Sequence, residues 1–185
     1  MIFDLLQKSK ETKNLIGFNF YGSENGFYCG YILDYNETFV IIQHYSKFGV
    51  NDGILVHKIS DIQYFEKETG YLKGIQYFIN NQNEINSQTF LMNKNSEHLE
   101  SFSNLFESFI GNKDYLIKFE LTSDEIYFGF IEWCDEDNFS VITIDVEGLI
   151  DGKAIFKLED LKLYWIDDQE CRKRKILHTI NNSKN

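Results

Sequence analysis

The feature that most constrains this chain is an internal repeat. Displaced by 99 residues, the sequence meets itself: Phe20 falls on Phe119, Tyr28 on Tyr127, Gly30 on Gly129 and Ile32 on Ile131. Farther along, Asp52-Gly53 falls on Asp151-Gly152 and Asp61 on Asp160. A one-residue slip between these blocks also aligns Phe39 with Phe139 and Ile42 with Ile142. The matches keep their order, so we read the chain as a duplicated domain. The expected division is 1–82, a polar, Asn-rich linker at 83–95, and 96–185.

Each copy reads as five short strands. In copy one they are expected at 15–21, 27–35, 39–45, 54–59 and 62–66; in copy two at 115–121, 126–134, 139–146, 153–158 and 161–166. Short strands at this spacing, rich in β-branched and aromatic residues, predict a small sandwich or barrel. Asp52-Gly53 and Asp151-Gly152 read as hairpin turns, because Asp-Gly tolerates positive φ. Gly30 and Gly129 fall inside the second strand, where glycine marks a bend or bulge. Helical periods flank the copies at 2–13, 71–79, 96–110 and 169–180, and a short strand is expected at 89–92. The predicted class is mainly β with accessory helices (α+β): two tandem five-stranded barrels, each preceded and followed by a short helix.

That order of elements, carried by Gly30-Tyr31-Ile32-Leu33-Asp34-Tyr35-Asn36, Phe39–Ile42 and the run 56–62, is similar to the Sm-like small barrel, a variant of SH3-like barrels. Gly129–Asp135, Phe139–Ile142 and Phe156–Leu161 repeat it. The resemblance implies that the copies pack as neighbouring subunits do in Sm-like rings, in a monomer or small homo-oligomer. The family expects Asp six residues after the glycine and Asn four later. Copy one has Asn36 and Val40 there, and copy two Asp135 and Phe139, so the family's RNA-binding residues do not carry over. His57-Lys58 reverses the Lys-His pair of bacterial relatives.

Little else points to chemistry. No phosphate loop, dinucleotide fingerprint, zinc-protease motif, nucleophile elbow or calcium loop is present, so no catalytic residue, metal or cofactor is expected. Asp135-Glu136-Asp137-Asn138 reads as a solvated acidic turn. Cys29, Cys134 and Cys171 form no CxxC, which favours a reducing cytoplasm over a disulfide scaffold or zinc ribbon. Cys29 reads as a small core residue, and Tyr21, Tyr28, Tyr31, Tyr35 and Tyr45 as core and its cover. Asp61 and Asp160 read as turn formers before the fifth strand. No apolar run reaches the ~20 residues that a spanning helix needs, and the N-terminus lacks the basic-then-apolar pattern of a secretory signal.

The net charge of −11 is unevenly placed. Residues 1–95 carry −2, residues 96–170 carry −14, and residues 171–185 carry +5 with the chain's two arginines, Arg172 and Arg174. Phosphate contacts need Lys and Arg, so the acidic second copy disfavours nucleic acid. The basic stretch is expected to neutralise the acidic copy before it. The reading is a non-enzymatic protein- or peptide-binding scaffold whose partner is an unidentified protein or peptide, with Tyr35, Asn36, His57, Lys58, Arg172 and Arg174 as candidate contacts. The alternative is an Sm-like nucleic-acid-binding protein using copy one and the basic tail.

Overall fold

The computed structural model describes residues 2–22, 26–87 and 106–183. It divides into two compact units, Met1–Ile85 and Asn86–Asn185. In the first, helix α1 (Ile2–Thr12) precedes strands β1 (Ile16–Phe20), β2 (Phe27–Tyr35), β3 (Phe39–Tyr45), β4 (Asn51–Lys58) and β5 (Ile62–Lys67). Helices α2 (Gly70–Asn80) and α3 (Gln82–Asn86) follow. The second contains β6 (Ile117–Leu121), β7 (Ile126–Cys134), β8 (Asn138–Ile144), β9 (Ile150–Lys157), β10 (Leu161–Ile166) and α4 (Gln169–Asn182).

Each unit is one antiparallel sheet, ordered β4-β3-β2-β1-β5 and β10-β6-β7-β8-β9. These are the same order. The expected closed barrels do not form: β4 and β5, and likewise β9 and β10, end the ladders. A single 3-10 turn, Ile59–Asp61 or Leu158–Asp160, joins each pair of edge strands. A connector of three residues turns the chain across the sheet's end, and among the described residues no strand pairs with either outer edge. The Asp61 and Asp160 carbonyls receive the Tyr21 and Thr122 N–H groups. Both aspartates thus serve these turns through their main chain, and Asp61 also accepts from Ser60 Oγ.

Strand register corrects the sequence alignment in two places. Gly30 pairs with Ile16 and Gly129 with Ile117, so Phe18, and not Phe20, is the counterpart of Phe119. The β1–β2 connection is two residues longer in the first unit, which displaces β1. The one-residue slip in the third strand does not occur. Val40 pairs with Tyr35 and Phe139 with Cys134, which makes Val40 and Phe139 equivalent. Burial shows why: Val40, Ile42, Phe139 and Val141 are buried, whereas Phe39 is exposed, and a slip by one would send each side chain to the opposite face.

Asp52-Gly53 and Asp151-Gly152 are not hairpin turns either. They lie inside β4 and β9, beside a register shift, with Gly53 at φ 87°. The turns are Ser46–Val50 and Asp145–Leu149. Ser46 Oγ accepts from the Phe48 and Val50 amides, and Asp145 Oδ1 from the Glu147 and Leu149 amides. Gly49 and Gly148 are left-handed there, and a Cβ on either would strike backbone of the following helix, at Ile79 N or His178 N. Each turn therefore seats its helix.

The interior of each sheet is apolar. Phe18, Ile32, Val40 and Ile42, with Leu6 of α1, form the first core; Phe119, Ile131, Phe139 and Val141, with Phe106, form the second. Gly30 and Gly129 lie where the third strand crosses closest, and a Cβ there would overlap the Gln43 or Ile142 carbonyl. The bulge expected at the glycine lies three residues later, between Ile32 and Asp34 or Ile131 and Trp133. The helix expected at 96–110 lies outside the described residues up to 105, and 107–109 form a 3-10 turn. The strand expected at 89–92 also lies outside the described residues. Among the described residues no helix is long and apolar enough to cross a membrane.

Candidate functional site

Duplication separates structural residues from special ones, because each position has an internal counterpart. Asn36 Oδ1 accepts from the Thr38 and Phe39 amides, and Asp135 Oδ1 from the Asp137 and Asn138 amides. Both close the turn between the second and third strands. The two main-chain hydrogen bonds hold the Asp135 carboxyl below its ordinary pKa. The acidic run 135–138 is therefore a turn, and among the described residues no cluster of His, Cys, Asp and Glu is arranged to hold a metal.

Tyr35 donates from its hydroxyl to Gln7 Oε1 at 2.7 Å and stacks on Phe3. It fastens α1 to the sheet. His57 is half-buried, stacked on Phe20 at 3.8 Å, with Nδ1 3.8 Å from Asp61 Oδ2. Its counterpart is Phe156, which packs on Phe119, Tyr127 and Phe139. His57 thus completes an aromatic lid over the core. Lys58, on the opposite face of β4, is exposed.

The basic stretch is not a free tail. Asp168 caps α4 by accepting the Cys171 amide at 2.7 Å. Arg172 bonds the Asp167 carbonyl, and Lys173 is buried. Arg174 donates to the Ile144 carbonyl at 2.8 Å, lies 3.5 Å from Glu170 and covers the Phe128 ring. These cations are spent within their own unit. The counterpart of α4 is α2, where Thr69 is the cap and Ile75 stands in place of Arg174.

At Cys171 the Lys118 ammonium favours the thiolate, but burial and Asp168 outweigh it. Burial pushes the Cys29 pKa up to about 12 and the Cys171 pKa up as well, so neither forms a thiolate at neutral pH. Cys29 Sγ contacts the Tyr45 carbonyl, not a base.

Sequence reasoning missed the outward face of the first sheet. Along β4, Leu55 and His57 turn inward; Ile54 and Val56 turn out and are 64% and 55% exposed. Ile41, beside Val56, and the exposed Phe39 and Leu33 extend the apolar strip. Period-two alternation should reveal such a face, but β4 is apolar on both sides, so the pattern gives no direction. The second unit has Lys153, Ile155, Ser140, Asn138 and Glu132 at these positions. There Lys153 pairs with Glu132, which also accepts from Ser140 Oγ. The second unit keeps one bare isoleucine here, Ile155 at 65% exposure, but puts this polar network where Ile54, Ile41 and Leu33 stand in the first.

No family model, curated protein or solved structure matches the chain.

Proposed function

We propose that the protein is a non-enzymatic binding module whose N-terminal unit takes an extended segment of a partner protein along β4. The observation that carries this reading is the open edge of β4 with Ile54 and Val56 exposed beside it. An unpaired strand edge offers backbone donors and acceptors to an added strand, and apolar side chains beside it give that strand specificity. An exposed apolar strip of this kind is also where association gains most from removing water. The raised thiol pKa of Cys29 fits a binding role.

We read each unit as an open variant of the Sm-like plan. A leading helix in the first unit, five strands, a glycine in the second strand and a one-turn connector between the last two support that reading. Three free cysteines suit a reducing cytoplasm. The nucleic-acid alternative loses support because Arg172 and Arg174 are engaged within their own unit.

Selection from a random peptide library on the immobilised full chain tests this function. Extended apolar peptides are expected, and I54K/V56K is expected to abolish their binding. Sedimentation of the same variant reads the oligomer. Failure to select any peptide, or peptides that bind the double variant equally, would overturn the proposal.

A further inference from the structure

A cavity of about 690 Å³ lies on the outward face of the first sheet, between the end of α1 and α2. Lys10 and Lys13 stand on one side, Tyr31 and Leu33 form apolar wall, and Gln43 and Gln76 supply amides. The volume falls in the range of small-molecule sites, which combine apolar walls with a few convergent polar groups. We propose that this cavity binds a small carboxylate with an apolar body.

The polar groups favour an anion. Lys10 is paired with Asp34 at 2.8 Å, so that pair is internally balanced. Lys13 follows α1 in a left-handed conformation (φ 51°), and among the described residues it has no ion pair within 4 Å. Tyr31 donates its hydroxyl to Gln76 Oε1 at 2.8 Å, and Gln43 Nε2 donates to Asn51 and to the Gly53 carbonyl. Those bonds hold the walls in place without a ligand, so a guest meets a preformed surface.

The second unit acts as an internal control. By strand register, Leu33 corresponds to Glu132, Tyr31 to Phe130 and Gln43 to Ile142, and counting back three residues from Ile16 and Ile117 sets Lys13 against Asp114. Gln76 corresponds to Lys175, whose ammonium lies over the Tyr115 ring. There Glu132 is neutralised by Lys153 and the Lys175 ammonium lies over Tyr115, so the place of Lys13 holds a carboxylate and, among the described residues, no cation is left facing it as Lys13 faces the cavity of the first unit.

The test is titration of the full chain with octanoate and with neutral octanamide, followed by amide NMR shifts. Octanoate is expected to move residues 10–13, 31–33, 43 and 76, and to bind more tightly than octanamide. Lys13→Asp imports the residue of the second unit at a backbone conformation aspartate accepts. It is expected to weaken octanoate about tenfold, the value of one charge-assisted hydrogen bond, and to leave octanamide unchanged. Leu33→Glu is expected to weaken octanoate similarly. Equal binding of the two probes, no shifts at these residues at millimolar octanoate, or an unaltered affinity in Lys13→Asp would each overturn the proposal.

Discussion

The two units are built on one plan and finished differently. Both have a left-handed residue, Glu68 or Asp167, between the last strand and the helix cap, Thr69 or Asp168. Both seat the helix on a turn glycine. Yet the helix-facing layer is repacked: Cys29 and Leu72 in the first unit stand where Phe128 and Cys171 stand in the second. Ile75 becomes the half-buried Arg174, which donates to the Ile144 carbonyl and lies 3.5 Å from Glu170. The outward strip is apolar in the first unit, while the second keeps Ile155 and makes the places of Ile54, Ile41 and Leu33 polar. What was kept is backbone geometry, and what changed is the chemistry of the surfaces that geometry presents.

The harshest way to break the comparison is to strike the shared geometry. Gly30→Ala and Gly129→Ala each force a Cβ into a carbonyl of the neighbouring strand, and each is expected to cost its own unit about 3 kcal/mol. Both tryptophans, Trp133 and Trp165, belong to the second unit. Urea unfolding followed by their fluorescence is therefore expected to register Gly129→Ala and to ignore Gly30→Ala; circular dichroism registers both. Equal fluorescence effects would show that the units do not unfold separately.

Next comes the diverged helix position. Ile75→Ala leaves an apolar cavity and is expected to cost about 3 kcal/mol. Arg174→Ala removes a hydrogen bond to the Ile144 carbonyl and cover from Phe128, an expected loss of about 2 kcal/mol. Arg174→Ile is expected to recover part of that loss, since isoleucine is what the same geometry holds in the first unit. Thermal unfolding would show it.

The turn between second and third strands sharpens the comparison through pH. Asn36→Ala is expected to cost about 1 kcal/mol at every pH from 3 to 8 (roughly the window in which carboxylates titrate). The Asp135 carboxyl has a depressed folded pKa. Its contribution is present above the unfolded carboxyl pKa and is lost as pH falls through the lower folded value. Asp135→Asn is therefore expected to flatten the acid limb of the second unit's stability profile. An unchanged acid limb would contradict the turn's account.

Much of this plan can be read from the chain. Strand positions, glycines of the second strand and the helical periods at 71–79 and 169–180 follow from local pattern. Closure does not, because whether five strands seal a barrel depends on how β4 and β5 diverge after a three-residue turn. Register was misread where a loop changed length by two residues and where Phe39 matched Phe139 by type alone. Burial, not identity, decides such positions. The candidate contacts divide in the same way: Lys58 is exposed, His57 is half-buried against Phe20, and Tyr35, Asn36, Arg172 and Arg174 serve the fold itself. The outward strip escaped notice because Ile54-Leu55-Val56 is apolar at every residue.

The smallest expected effect concerns the thiols. Burial raises Cys29 to about 12 and Cys171 further. Neutral thiols stabilise fully below the unfolded thiol pKa, and that stability is lost as pH rises through the folded value. Near neutral pH, iodoacetamide is expected to modify the half-buried Cys134 first, and Cys29 and Cys171 only on unfolding. Early labelling of Cys29 would contradict its place in the core.

The central claim is that the copies share a fold and differ in what they present. Amide NMR of the full chain with a library-selected peptide tests it most directly. Shifts and new hydrogen-exchange protection are expected in β4, residues 51–58, and not in the equivalent β9, residues 150–157. Protection that appears equally in both strands, or in β9 alone, would contradict it.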